Sequence, residues 1–168
     1  MITLYHGSNV AFSVPDLNAG RAGMDFGKGF YLTPNKDTAR KMAERVTRIH
    51  GEGNPVVMVF AFDDVTARHA NMVHDFNFMD RRWVEFIIAN RTGDESAENH
   101  NLDARYQIVH GYVADDRLMQ IIDDYENGDL TIGEVERRLA NAQFRAFQYS
   151  FHTPGALNML SFKGVLHE

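Results

Sequence analysis

Leu4-Tyr5-His6-Gly7-Ser8 near the start of the chain and Asp25-Phe26-Gly27-Lys28-Gly29-Phe30-Tyr31-Leu32 further on are the two stretches whose reading decides the fold. The first sets His-Gly-Ser at the end of a short apolar strand, Ile2 to Tyr5. It presents an imidazole, a hydroxyl and, between them, a main chain that a planar ligand can approach closely because glycine has no Cβ. Such a trio can hold an amide and sugar hydroxyls. The second stretch lies in a loop, Gly20 to Gly29, whose four glycines and an Asp feed a strand, Phe30 to Leu32. Alternation along that strand sends Phe30 and Tyr31 to opposite sides, one ring to the core and the other to a cleft where it can stack on a base. Taken singly, His-Gly-Ser also reads as a turn and Gly-Lys-Gly as a hairpin loop. Their combination is less ordinary than either alone.

Outward from these stretches, helices and strands mix without a regular βαβ rhythm, which predicts an α+β fold. Thr33 is placed to cap a helix with Pro34 in its first turn. Its Ala39, Met42, Ala43, Val46 and Ile49 form one apolar stripe ending at Gly51. Val56 to Phe62 reads as a buried strand, and Asp80 to Arg91 as a helix with Trp83 and Ile87 on one face and Gly93 beyond its end. The polar run Thr92 to Asp103 reads as a surface loop. Tyr106 to Val113 reads as a strand, and Asp116 to Tyr125 as a helix with Asp115-Asp116 as cap and first-turn charge. Thr131 and Glu134 make a capping box for a helix whose Ile132, Val135 and Leu139 face inward. Phe144 to His152 reads as a strand, Thr153-Pro154 as the start of a short helix through Leu160, and Phe162 to Leu166 as a strand that closes a sheet.

The chain has 168 residues, 44% of them hydrophobic and 24% charged, which fits one globular domain spanning 1–168 with no disulfide or metal needed for its core. It contains no Cys, which removes thiol nucleophiles and thiolate metal sites and fits a reducing compartment. Its longest apolar run, Val56 to Phe62, is far short of the roughly 20 residues that cross a bilayer. With no basic leader at Met1 to Tyr5, a cytoplasmic protein with no membrane partner is expected. Seventeen basic against 23 acidic residues leave a net charge of -6, which argues against a broad sequence-blind nucleic-acid surface. Eight histidines raise the question of a metal. His69 and His74 are five apart and do not align on one helical face, and no HExxH pair occurs, so no metal site is expected. Glycine-rich nucleotide fingerprints, phosphate loops and nucleophile elbows are also missing.

The His6-Gly7-Ser8 and Gly27-Lys28-Gly29-Phe30-Tyr31-Leu32-Thr33 segments, with Ala39 following in a helix, resemble the His and Tyr motifs of the poly(ADP-ribose) polymerase branch of the ADP-ribosyltransferase superfamily. Three further patterns, Trp83-x-Glu85-Phe86 to Asn90-Arg91, Tyr106-x-Ile108-Val109-x-Gly111 to Asp116, and Gln148-x-Ser150-Phe151-His152-Thr153 to Leu157, are similar to a bacterial family of uncharacterised domains assigned to that superfamily. The resemblance spans nearly the whole chain. It implies a split β-sandwich of two small sheets with flanking helices and with NAD in the cleft between the sheets. It also implies a glycosyltransferase-class activity that moves ADP-ribose from NAD, as co-substrate, to an acceptor (protein, nucleic acid or small molecule) with loss of nicotinamide. For bacterial members it implies a toxin context with a small neutralising partner protein.

Carried over by residue, His6 would bond the adenosine-side ribose, Gly7 the nicotinamide amide through its main chain, and Ser8 the neighbouring hydroxyls. Tyr31 would stack on nicotinamide, with Gly27, Gly29 and Phe30 shaping its approach. Lys41-Met42 stands where the polymerases place a second stacking tyrosine, and either Phe26 replaces that ring or Phe26 belongs to the core. Gln148 stands where the family opens a late strand with Glu. A carboxylate there stabilises the cationic ribose as the glycosidic bond breaks, a charge that Gln cannot supply. Gln148 still orients the sugar, and Gln148→Glu is expected to raise NAD hydrolysis. The replacement carboxylate is nominated as Glu85, whose other reading is an ion pair with Arg81 or Arg82 along its helix. Mono-transfer is favoured over chain elongation. Two rival classes stay open, a pseudoenzyme that only binds NAD or ADP-ribose and an NAD glycohydrolase with water as acceptor.

Overall fold

The computed structural model describes residues 1–142 and 146–166. In chain order the elements are β1 (Ile2–Ser8), β2 (Phe30–Leu32), α1 (Lys36–His50), β3 (Val56–Phe62), α2 (Asp64–His69), β4 (Val73–Asp75), α3 (Arg81–Thr92), β5 (Ile108–Tyr112), α4 (Asp116–Glu126), α5 (Ile132–Ala140), β6 (Phe147–Phe151), α6 (Pro154–Leu157) and β7 (Leu160–Leu166). A short 3-10 helix, Leu17–Ala19, interrupts the first long loop. Two small sheets result, an antiparallel one ordered β1-β3-β7 and a second ordered β2-β6-β5-β4 in which only the β4–β5 pair is parallel. The fold is α+β, with helices against the outer faces of both sheets.

Period-two burial explains how the layers meet. Leu4, Met58, Phe60 and Phe62 of the first sheet pack against Phe30, Leu32, Ile108, Tyr149 and Phe151 of the second and fill the space between them. Val109, on the opposite face of the second sheet, joins a separate core with Phe26 of the glycine-rich loop and with Trp83, Phe86, Ile87, Leu118, Ile122, Val135 and Leu139 from α3, α4 and α5. The outer face of the first sheet carries α1, in contact through Ala39, Ala43 and Val57.

Several boundaries differ from the sequence reading for identifiable reasons. Asn35, not Thr33, caps α1 by accepting from Thr38 N–H. Thr33 is held back by a backbone bridge to Tyr5, so the chain is still extended there. Only Ala39 and Ala43 of the predicted stripe are buried, whereas Met42 and Ile49 are exposed. Leu160 belongs to β7, not to the helix before it, and the predicted strand at Tyr106 begins at Ile108. The predicted start of β6 at Phe144 lies outside the described residues. α2 and β4 are too short to show a periodicity in the sequence. Within the polar run after α3, His100 and Asn101 are buried, so that loop is part of the packing. The caps at Asp115 and Thr153 and the Thr131–Glu134 box stand as the sequence predicts, whereas Asp80, expected as the first residue of α3, is its cap. Among the described residues no helix is long and apolar enough to cross a membrane.

Candidate functional site

The two sheets touch through one backbone pair. Tyr5 N–H donates to Thr33 O at 2.8 Å, and Thr33 N–H donates to Tyr5 O at 2.9 Å. Since successive residues of a strand present their N–H and C=O to opposite edges, Gly7 aims its main-chain donor and acceptor at the same side as Tyr5, away from β3. In the register of that bridge Gly7 would lie opposite Tyr31. There the backbone pairing stops, and His6 reaches Tyr31 instead, its Nδ1–H donating to Tyr31 O at 2.7 Å. The carbonyl can only accept, so the neutral ring carries its proton on Nδ1 and leaves Nε2 an acceptor with no partner among the described residues. Burial holds the His6 pKa below the usual histidine value, against the opposing effect of the Tyr31 carbonyl. The imidazole packs 4.6 Å from the Phe30 ring and 5.6 Å from that of Phe12, on the side between the sheets.

The register also settles which residues share a face. Tyr31 is the cross-strand partner of Ser150, and Gln148 lies two residues earlier on the same strand. Tyr5 and Gly7, Tyr31 and Thr33, Gln148 and Ser150 therefore line one continuous face across β1, β2 and β6. α1 rests on that face at Gly7, and exposed Met42 follows Ala39 by three residues beside the contact. The structure thus unites Gly7, Tyr31 and Gln148 on one side and turns the His6 ring to the other.

Tyr31 is anchored at its tip. Its hydroxyl accepts from Phe26 N–H at 2.9 Å and donates to Gly27 O at 2.6 Å, which closes the glycine-rich loop, and burial keeps it a neutral phenol. Gly27 has φ +90°, and a Cβ there would stand 2.8 Å from Asn101 O; one on Gly29 would meet Phe151 O at 2.7 Å. The loop is thus shaped by close backbone approach. Tyr31→Phe leaves Phe26 N–H and Gly27 O without their shared partner and should cost about 1–3 kcal/mol in a urea titration. An unchanged midpoint would show that the loop closes without the hydroxyl. Phe26 is fully buried in the α3-side core, which rules it out as the second stacking ring.

Gln148 donates from Nε2 to Asp25 Oδ2 at 3.2 Å. Asp25 is buried. Its Oδ1 accepts from Arg91 Nε at 2.7 Å, and its Oδ2 also accepts from Ala114 N–H at 3.2 Å. Two buried amides hold the surrounding backbone. Asn90 Nδ2 donates to Asp25 O, and Asn101, whose N–H donates to Asn90 Oδ1, donates from Nδ2 to Phe26 O. Asp25 is the functional-looking carboxylate that sequence reasoning quoted only as part of a loop. Its pairing with Gln148 spans the chain, and the one sequence signal was the Asn90-Arg91 pattern that turns out to face it. Glu85, nominated instead, is exposed on α3 and pairs with Arg81 Nε at 2.7 Å, the plain ion-pair alternative.

Ser150 and His152 form a second buried pair. His152 Nδ1–H donates to Lys28 O at 2.8 Å, so its Nε2 accepts from the Ser150 hydroxyl at 2.7 Å. With both side chains buried, the pair ties β6 to the glycine-rich loop and offers no open nucleophile. Ser8 is buried as well and accepts from Val10 N–H at 3.4 Å. Among the described residues no group of three or more His, Asp or Glu could hold a metal ion. A groove of about 660 Å³, bounded by Lys36, Arg40 and Glu44 of α1 and by Val165 and Leu166 of β7, lies elsewhere and is lined by none of His6, Tyr31, Asp25 or Gln148.

No curated protein and no solved structure matches the chain. The model of a family described as "Protein of unknown function (DUF3990)" matches residues 2–162. With a match over nearly its whole length, the chain belongs to the DUF3990 family.

Proposed function

We propose that the protein binds NAD where β1 and β2 part and transfers its ADP-ribose to an acceptor, releasing nicotinamide. The observation that carries this reading is the shared face. Three stretches far apart in sequence supply Gly7, Tyr31 and Gln148 to one surface beside α1, where Gly7 has an unladdered N–H and C=O. A carboxamide is a planar donor and acceptor, and a glycine main chain matches it with an acceptor and a donor in one plane. Gln148 meets one sugar on this face, and the Nε2 of His6, on the other side of the strand, accepts a hydroxyl of the second sugar where the ligand passes between β1 and β2. In the reaction the bond from ribose C1′ to the pyridinium nitrogen breaks and its electron pair leaves with nicotinamide. An acceptor nucleophile bonds to C1′ and gives its proton to solvent. A second reading, binding without transfer, draws on Gln148 standing in place of a carboxylate.

Labelled NAD incubated with the protein, alone and with whole lysate, separates the readings. Transfer predicts free nicotinamide together with label on a lysate component, hydrolysis predicts nicotinamide and free ADP-ribose, and binding alone predicts neither. In every case NAD at 100 times its Kd should stabilise the fold by about 2.7 kcal/mol. No heat of binding and no thermal shift at millimolar NAD would sink the assignment of the site.

A further inference from the structure

We propose that Asp25 is a positioning residue for Gln148: it fixes the side-chain amide so that only the oxygen, Oε1, faces the ribose. The role rests on the NAD reading above. A carboxylate has acceptors and no donor, so its contact with Gln148 at 3.2 Å admits only the Nε2 end of the amide. The two ends of a glutamine amide are nearly alike in shape, and without such a partner the group can turn over. Asp25 itself has little freedom. Arg91 and Ala114 N–H hold its oxygens, and Asn90, Asn101 and the Tyr31 hydroxyl hold the backbone around it. Gln148 makes no other side-chain hydrogen bond among the described residues, which leaves Oε1 for a ligand. It thereby acts toward a sugar hydroxyl as a pure acceptor, the hydrogen-bonding character of a glutamate, with the negative charge one residue deeper and shared with Arg91. This arrangement reverses the expectation for Gln148→Glu. A second carboxyl group would stand about 3 Å from the first, and at that separation the two cannot both ionise, so the pair shares a proton and the ribose meets no added negative charge.

Four full-length proteins test the role: wild type, Asp25→Asn, Gln148→Glu and the double variant, each followed for nicotinamide release with kcat and KM separated. Asp25→Asn frees the amide to turn, and kcat should fall about 10- to 100-fold with KM changed less than about threefold. Gln148→Glu alone should also fall. In the double variant the new amide at position 25 can donate to the new carboxylate, so its kcat should exceed that of either single variant by about tenfold. If wild type binds NAD without cleaving it, the same pattern is expected in Kd. Losses that simply multiply would mean that Asp25 does not act through Gln148, and a rise in Gln148→Glu alone would overturn the role equally. The Gln148→Glu arm stands even if Asp25→Asn does not fold, because it leaves the Arg91 pair intact. Multiplying losses with an active wild type strike out Asp25 and leave the NAD reading standing. A wild type that neither binds nor cleaves NAD removes that reading and the role of Asp25 with it.

Discussion

Gly7→Ala should unfold the protein or lower its stability by at least about 3 kcal/mol. A Cβ on Gly7 would stand 2.0 Å from Ala39 O and 2.7 Å from Ala43 N. Both are backbone atoms of α1, so no side chain can swing aside. α1 would have to lift by more than an ångström from the strand it covers. Lifting it opens the contact among Tyr5, Ala39, Ala43 and Val57 and shifts the edge at which Gly7 presents its main chain. Gly133→Ala is the control. That glycine lies in α5 with nothing within 4 Å of a new Cβ, and the exchange should stabilise by roughly 0.5–1 kcal/mol. Chemical denaturation of both variants checks the pair. A Gly7 variant as stable as wild type would mean that α1 does not sit on β1 as described.

The same contact shows why part of the fold was legible in the sequence and part was not. Periodicity ranks residues by size and polarity, so it set Met42, Val46 and Ile49 beside Ala39 and Ala43 on the inner face of α1. Of these the helix buries only Ala39 and Ala43, because a strand carrying glycine lets two backbones meet, and small residues are what permit it. Local signals are legible. Asp115, Thr131 and Thr153 cap helices by bonds within their own turn, and β2 and β3 end at the residues that alternation and β-branching indicate. The shared face needed the cross-strand register of β1, β2 and β6, which joins residues far apart and leaves no mark on either stretch alone. Asp25 was hidden for that reason, since Arg91 and Gln148 reach it from α3 and β6. Glu85 attracted notice because it was a carboxylate in a recognisable pattern, yet its neighbour one turn earlier, Arg81, is what it meets.

Stability should also fall as pH drops from 6.5 toward 4, by about 3 kcal/mol from His152 alone. Burial lowers the His152 pKa from 6.5 to about 4, although its bond to the Lys28 carbonyl works in the other direction. In the unfolded chain the imidazole takes up a proton near 6.5, while the folded state refuses it until about 4. The unfolded state therefore binds more protons within this window, and stability must rise with pH across it. At about 1.4 kcal/mol for each pH unit of separation, the window carries the stated loss. The geometry gives the reason for the refusal. Nδ1–H is committed to Lys28 O, so a second proton must enter at Nε2, where the Ser150 hydroxyl now donates and would have to reverse. Desolvation lowers the values of the partly buried His6 and His74 too and steepens the same slope, whereas Asp103, held at about 2 chiefly by its bond to Arg105, loses its contribution only below the ordinary carboxylate value of 3.8. Histidines thus govern the upper window. Urea titrations at several pH values, repeated on His152→Asn, separate their shares, because that variant should lose close to one proton's worth of slope. An unaltered slope would mean that His152 titrates freely in the folded protein. The bond that ties β6 to the glycine-rich loop would then not hold in solution, and the face shared by Tyr31 and Gln148 would lose one of its anchors.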